Sequence, residues 1–238
     1  MTEFATLWSY LSASPLTWLT ATLVAYLVGS RISRALGHAP VANPVLLSVC
    51  LIAPALALTG TDYATYFEGA QFIHFLLGPA TVALAVPLID NRKIIRRSVL
   101  PIVLALIAGS VVAVISVIGL AQALGLPPLV VLSLAPKSTT APVALGVSEA
   151  VGGIPTLTAV FVIVTGILGA IIVTPMMNLL RITDWRARGF AAGVAAHGIG
   201  TARAFQVNQT AGAFAGIGMA LNALLTSLIV PVLVRALI

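Results

Sequence analysis

The chain has 238 residues, of which 60% are apolar and only 8% charged, with a net charge of +6. A soluble domain carries about 25% charged residues, so the composition argues against a cytosolic enzyme, a nucleic-acid binder and a disordered chain. With a mean hydropathy of +1.12 it is the composition of a polytopic membrane protein without a soluble domain.

Long unbroken apolar runs fit helices rather than the alternating strands of a barrel. Spans are predicted at 14–31, 43–60, 66–90, 98–123, 155–180, 188–206 and 209–236. Nothing basic precedes Arg31 and the only early charge is Glu3, so no signal peptide is expected. The single cysteine, Cys50, lies in the second span and excludes an intramolecular disulfide. The segment 127–150 is apolar but broken: Pro127 and Pro128 open it, and Pro136 and Pro142 interrupt it around Lys137, Ser138, Thr139 and Thr140. Internal prolines remove backbone donors and clash with the preceding turn, which argues against a straight helix there.

Loop charges set the orientation. Arg31 and Arg34 follow the first span; Arg92, Lys93, Arg96 and Arg97 follow the third; Arg181, Arg186 and Arg188 follow the fifth; Arg235 lies near the C-terminus. These clusters share one side if 127–150 enters and leaves on the same face. The expected architecture is all-α, with about seven transmembrane helices plus a broken or re-entrant hairpin. The N-terminus is then outside and the C-terminus cytoplasmic. A helix at 127–150 that does cross would violate the charge rule for one loop.

Two segments with interrupted patterns run in opposite directions in this topology. One is 66–90, broken at Leu77-Gly78-Pro79; the other is 188–206, with Gly198, Gly200 and Thr201 after His197. Paired discontinuous helices are the mark of an inverted repeat. Its halves would be 43–123 and 155–236, joined by 127–150. Glycine and proline are also simply common in membrane helices.

Residues at membrane depth carry the functional signal, because a basic side chain there must be paired, wetted or able to snorkel. Lys137 sits among Pro136 and three hydroxyl residues, a setting suited to an anion. Arg203 precedes a long charge-free run and either joins that site or snorkels outward. Glu68, Gln71 and His74 fall at helical spacing, and Glu149 reads as the cap of a half-segment. His197 is the protonatable candidate, with Glu68 and His74 as further coupling residues. Asn222 and Thr226 add a polar i, i+4 pair, and Gly212, Gly216 and Ala220 form a small-residue row that reads as close packing. Metalloprotease, nucleophile-elbow, CxxC and phosphate-loop signatures are missing, so neither an enzyme nor a cofactor or metal is expected.

Three stretches resemble the LrgB family of CidB- or YohK-like membrane proteins: the run 78–88 beginning Gly78-Pro79-Ala80-Thr81, the run 133–142 around Pro136-Lys137-Ser138, and His197-Gly198-Ile199-Gly200-Thr201-Ala202-Arg203. The resemblance covers about 60–238. Where the family pattern leads one to expect Thr-Thr-Pro after Pro-Lys-Ser, this chain has Thr139-Thr140-Ala141-Pro142, a small departure. The resemblance implies a carrier distantly related to the cation/proton antiporter and bile-acid symporter folds, moving small carboxylates such as pyruvate, glycolate or glycerate. It also implies a bacterial inner-membrane location, a small LrgA-like membrane partner, and a competing role as a holin/antiholin-like regulator of murein hydrolase release and cell lysis. The expected substrate site is Lys137, Ser138, Thr139, Thr140, His197, Gly198, Gly200, Thr201 and Arg203 with Gly78 and Thr81. The expected partners are a carboxylate anion, the LrgA-like protein, the bilayer and a second copy in a homodimer; nucleic acid is not among them.

Overall fold

A computed structural model describes residues 14–39, 41–76, 79, 82–83, 85–90 and 92–238, less the side chains of 85, 87, 88 and 94. All regular structure among the described residues is helical, and the chain divides after Pro79 into two compact units.

The first unit holds α1 (Pro15–Ala35), α2 (Pro44–Thr59) and α3 (Tyr63–Phe75). Pro15 and Pro44 open their helices, where a missing N–H costs nothing. Asn43 caps α2 by accepting from the amides of Val45 (2.8 Å) and Leu46 (3.3 Å), and Asp62 caps α3 through Thr65 (3.0 Å). Glycine lets α3 meet α1 closely: a Cβ on Gly69 would strike the Pro15 carbonyl oxygen. Helix α3 ends at Phe75, and of the expected break at Leu77-Gly78-Pro79 in the predicted span 66–90 only Pro79 is among the described residues.

The second unit holds α4 (Ala85–Asp90), α5 (Arg92–Arg97), α6 (Val99–Ala123), α7 (Pro128–Leu134), α8 (Ala141–Ala150), α9 (Pro155–Leu179), α10 (Trp185–Val207) and α11 (Gln209–Leu237). Helices α6, α9 and α11 are long and apolar enough to cross a membrane, whereas α2 is apolar but shorter. Thus the described residues do not reach the seven full spans expected. Helices α6 and α11 run in the same direction. Ile102 and Leu106 pack with Phe214 and Ile217, Ser110 bonds Asn222, and Val114, Ile118 and Ala121 pack with Val230 and Val234. At the end of the pair the Gln122 side-chain amide donates to the Leu237 carbonyl at 2.9 Å.

Between α6 and α9 the chain doubles back. A straight helix would separate Ser133 from Ser148 by about 22 Å at ~1.5 Å per residue. Instead the Thr158 hydroxyl donates to the Ser133 carbonyl (2.9 Å) and meets the Ser148 hydroxyl at 2.7 Å. The Ile154 amide donates to the Ser133 hydroxyl (2.8 Å). Residues 135–140 form the reversal, where Pro136 and Pro142 forbid a continuous helical ladder. Helices α7 and α8 are therefore the limbs of a hairpin whose base lies beside the start of α9, as the sequence led us to expect.

Helix α10 is a second hairpin, and here the expected span 188–206 is corrected. Ala196 (φ −129°, ψ 18°) and His197 (φ 41°, ψ −133°) leave helical geometry. Ala192 and Ala204, ~18 Å apart in a straight helix, share one cluster with Ala211 and Ala215. A Cβ on Gly200 would lie 2.7 Å from the Ala192 carbonyl oxygen. The limb 185–195 runs parallel to α11, with Gly189 and Gly193 against the carbonyls of Ala211 and Ala215. The limb 198–207 runs back along it, with Thr201 facing Met219 and Phe205 facing Gly212. Small residues at these crossings let backbones touch, and the reversal then brings the chain out on the side it entered.

The two hairpins point in opposite directions. Helix α9 is antiparallel to the limb 185–195, because Val162 and Gly166 face His197 while Thr174 and Asn178 face Arg188. This geometry also corrects the placement of Arg235. Arg92, Arg96 and Arg186 lie at the end where Ile95 packs beside Phe190, whereas Arg235 follows Val234 at the opposite end of the unit.

Candidate functional site at the hairpin tips

The tip of the first hairpin is buried and polar. Ser138, Thr139 and Thr140 expose 3%, 1% and 7% of their surface, and the hydroxyls of Thr139 and Thr140 have no hydrogen-bond partner among the described residues. A buried hydroxyl left unpaired costs ~1–3 kcal/mol, so two side by side are disposed to bond water or a ligand. Thr140 occupies the N-cap position of α8 without making the side-chain cap bond. The first amides of α8 therefore remain available, with the positive end of the half-helix dipole. Lys137 is half-buried on the same reversal.

The tip of the second hairpin carries His197, buried at 5% exposure. Its Nε2 lies 2.9 Å from the Val162 carbonyl oxygen, which can only accept, so the ring donates from Nε2 and Nδ1 is its titrating nitrogen. Gly166 makes room for that ring: a Cβ there would sit 2.6 Å from Cε1. The Thr201 hydroxyl donates back to the His197 carbonyl at 2.8 Å.

Asn222, 1% exposed on α11, joins the two tips. Its Nδ2 donates to the carbonyls of Ser138 and Val194, both at 3.1 Å. Its Oδ1 accepts from Ser110 (2.6 Å) and Thr226 (3.1 Å). The regular partner of the Val194 carbonyl is the amide four residues on, which lies beyond the kink. The Ser138 carbonyl sits in the reversal itself. Asn222 thus serves two acceptors that the breaks release.

Lys137, Ser138, Thr139, Thr140, His197 and Thr201 belong to the two tips. Gly198 is open, with only the Met219 sulfur near a built Cβ (3.9 Å), whereas Gly200 is wedged against Ala192 and Ala196. Arg203 sits six residues past His197, about 9 Å along the helix. With Arg188, Trp185 and Thr174 it lines a pocket at the base of the second hairpin, away from the tips. Gly78 and Thr81 lie outside the described residues. Glu68 and His74 are exposed on α3 in the first unit, where Gln71 donates to the Glu68 carbonyl at 2.7 Å. Ser110, Ser148 and Thr158, and the network that joins the last two to Ser133, were not expected from the sequence; their signal was lone hydroxyl residues within otherwise apolar runs.

A model of the LrgB-like family matches residues 22–236. Protein YwbG of Bacillus subtilis is 36% identical over 191 residues, which cover 80% of this chain and 85% of that protein. Protein YxaC of the same organism is 35% identical over 213 residues, or 90% and 92% of the two chains. A relative from Staphylococcus aureus, named holin-like protein CidB, is 33% identical over 213 residues, covering 90% and 93%. No solved structure matches.

Proposed function

The chain belongs to the LrgB-like family, and from that premise we propose that it is a secondary carrier of small organic anions, monocarboxylates of the class of pyruvate, glycolate and glycerate. Its apolar helices and holin-like relatives make it a membrane protein. The observation that carries the proposal is the pair of buried, unpartnered hydroxyls of Thr139 and Thr140 beside Lys137, where two opposed hairpin tips meet. A carboxylate there takes hydrogen bonds from both hydroxyls, charge from Lys137 and the dipole of α8; a cation is repelled.

The segments 99–150 and 155–207 each consist of a long helix followed by a hairpin, in opposite orientation. In this reading they are the halves of an inverted repeat, in place of 43–123 and 155–236, and 127–150 pairs with 185–207. Alternating access then loosens one tip at a time around a fixed site. His197 is the proton-responsive member. The basic end of the second unit faces the cytoplasm of a bacterial inner membrane, and the C-terminus the outside. A small LrgA-like protein and a second copy of the chain are the proposed partners.

The names of the staphylococcal relatives favour a second reading, a holin/antiholin-like protein controlling murein hydrolase export and lysis. Uptake into proteoliposomes of C2–C4 carboxylates, with and without a pH gradient, separates the two. A carrier gives saturable uptake that other carboxylates compete for. Size-graded, non-saturable leakage favours the holin-like reading and removes the carrier. In a carrier, Lys137→Gln abolishes uptake while the protein still inserts; near-normal uptake removes Lys137 from the site.

A further inference from the structure

We propose that Asn222 is a positioning residue, a latch whose two amide hydrogens hold the opposed hairpin tips together over the site, so that solute reaches Thr139 and Thr140 only after one of those bonds is released. This rests on the carrier reading and adds to it the group that keeps the site shut.

Three observations carry it. First, the two acceptors belong to different hairpins, Ser138 to one tip and Val194 to the limb below the other, while the donor belongs to neither. Either hairpin can therefore part from Asn222 while the other stays attached. Second, the amide is held at its other end: Ser110 on α6 and Thr226 on α11 donate to Oδ1, which fixes the side chain and directs Nδ2 at both carbonyls. Reversing the amide would set an oxygen against two carbonyl oxygens, so the assignment has one sense. Third, the bases of the hairpins are tied by other means. Thr158 fastens Ser133 and Ser148 in the first, and Arg188 bonds the Thr174 carbonyl and Asn178 in the second. The tips can thus separate without loss of the bases.

The arrangement also gives the latch its strength. Releasing one tip leaves one carbonyl without its donor, until water entering the gap supplies another.

The test reads tip exposure directly. In a Cys50→Ser background, Thr140→Cys reports the rate of reaction with a membrane-impermeant maleimide in purified, reconstituted full-length protein. Asn222→Leu, similar in size and without donors, raises that rate by roughly tenfold or more, and in the Thr140 background abolishes carboxylate uptake. Ser110→Ala frees the amide oxygen but spares both donors and gives a smaller rise, about two- to fivefold. Thr158→Val loosens a hairpin base and leaves the rate unchanged. An unchanged rate in Asn222→Leu overturns the latch; so does an equal rise in Thr158→Val, which would mean general loosening. If Asn222→Leu does not insert, the absence of a rise in Ser110→Ala overturns it. Should the unmodified protein take up no carboxylate, the carrier reading fails, and the labelling contrast still decides the latch.

Discussion

His197 adopts φ 41° and ψ −133°, a conformation that costs a residue with a side chain ~1–3 kcal/mol. Its backbone makes the reversal, and its ring fills the space that Gly166 leaves, donating to the Val162 carbonyl. Gly166→Ala raises helix propensity by ~1 kcal/mol, yet overpacks the ring at a cost of ~1–3 kcal/mol. The expected outcome is correct insertion, a lower melting temperature and at least a tenfold loss of carboxylate uptake; unchanged uptake would separate His197 from transport. Outside the membrane-spanning segments, Asp184 caps α10 and pairs with Arg186, whose guanidinium lies 2.7 Å away. Hydrogen bonds from the Arg186 side chain and then its amide hold the Asp184 pKa down, at about 2 against an ordinary 3.8. A depressed folded pKa gives a contribution present above pH 3.8 and lost as pH falls through about 2. Relative to intrinsic exchange, the first-turn amides of α10 should stay protected at pH 4 and lose that protection towards pH 2; Asp184→Ala should lack it at both.

At the scale of elements, the claim most open to measurement is that 185–207 is a hairpin. Spin labels at Trp185 and Val207, both lining the pocket at its base, should lie within about 20 Å, against ~33 Å for a straight helix. A distance near the longer value returns the segment to a single span. The sequence made the first hairpin legible and the second only in part. Pro136 and Pro142 announce a break by removing backbone donors. At 196–197 no proline stands, and the turn depends on the small residues Ala192, Ala196 and Gly200, which let the two limbs close on each other. Alanine and glycine at those positions look the same in a straight apolar helix, so the residues mark a weak point without giving its angle. Among the candidate residues, Lys137, Thr139 and His197 stood out as polar residues at breaks, whereas Arg203 shares the motif of His197 but lies at the hairpin base. Asn222 stood out as polar without revealing what it held, because its acceptors are backbone carbonyls that any sequence supplies.

At the scale of the molecule, the second unit gathers Arg92, Arg96 and Arg186 at one end and leaves Arg235 at the other. Because lysine and arginine collect on the cytoplasmic side, a cysteine at position 238 should react with an impermeant maleimide added to intact spheroplasts, and Arg186→Cys should not, both in a Cys50→Ser background. The reverse pattern inverts the proposed orientation. The charge rule alone put all the clusters on one side, since it counted 188–206 as a crossing; once that segment turns back, every later residue changes sides. The place of Asn222 in chain order has a further consequence, for biogenesis. Both hairpins are synthesised before α11, yet the carbonyls of Ser138 and Val194 find their donor on it. A ribosome that has finished α10 has thus released two polar loops that the lipid cannot solvate. They must wait at the translocon, or in water beside it, until the last helix arrives. Chains stalled before residue 222 should be recognised by membrane quality-control proteases, so that assembly of the protein is proofread by its own final helix.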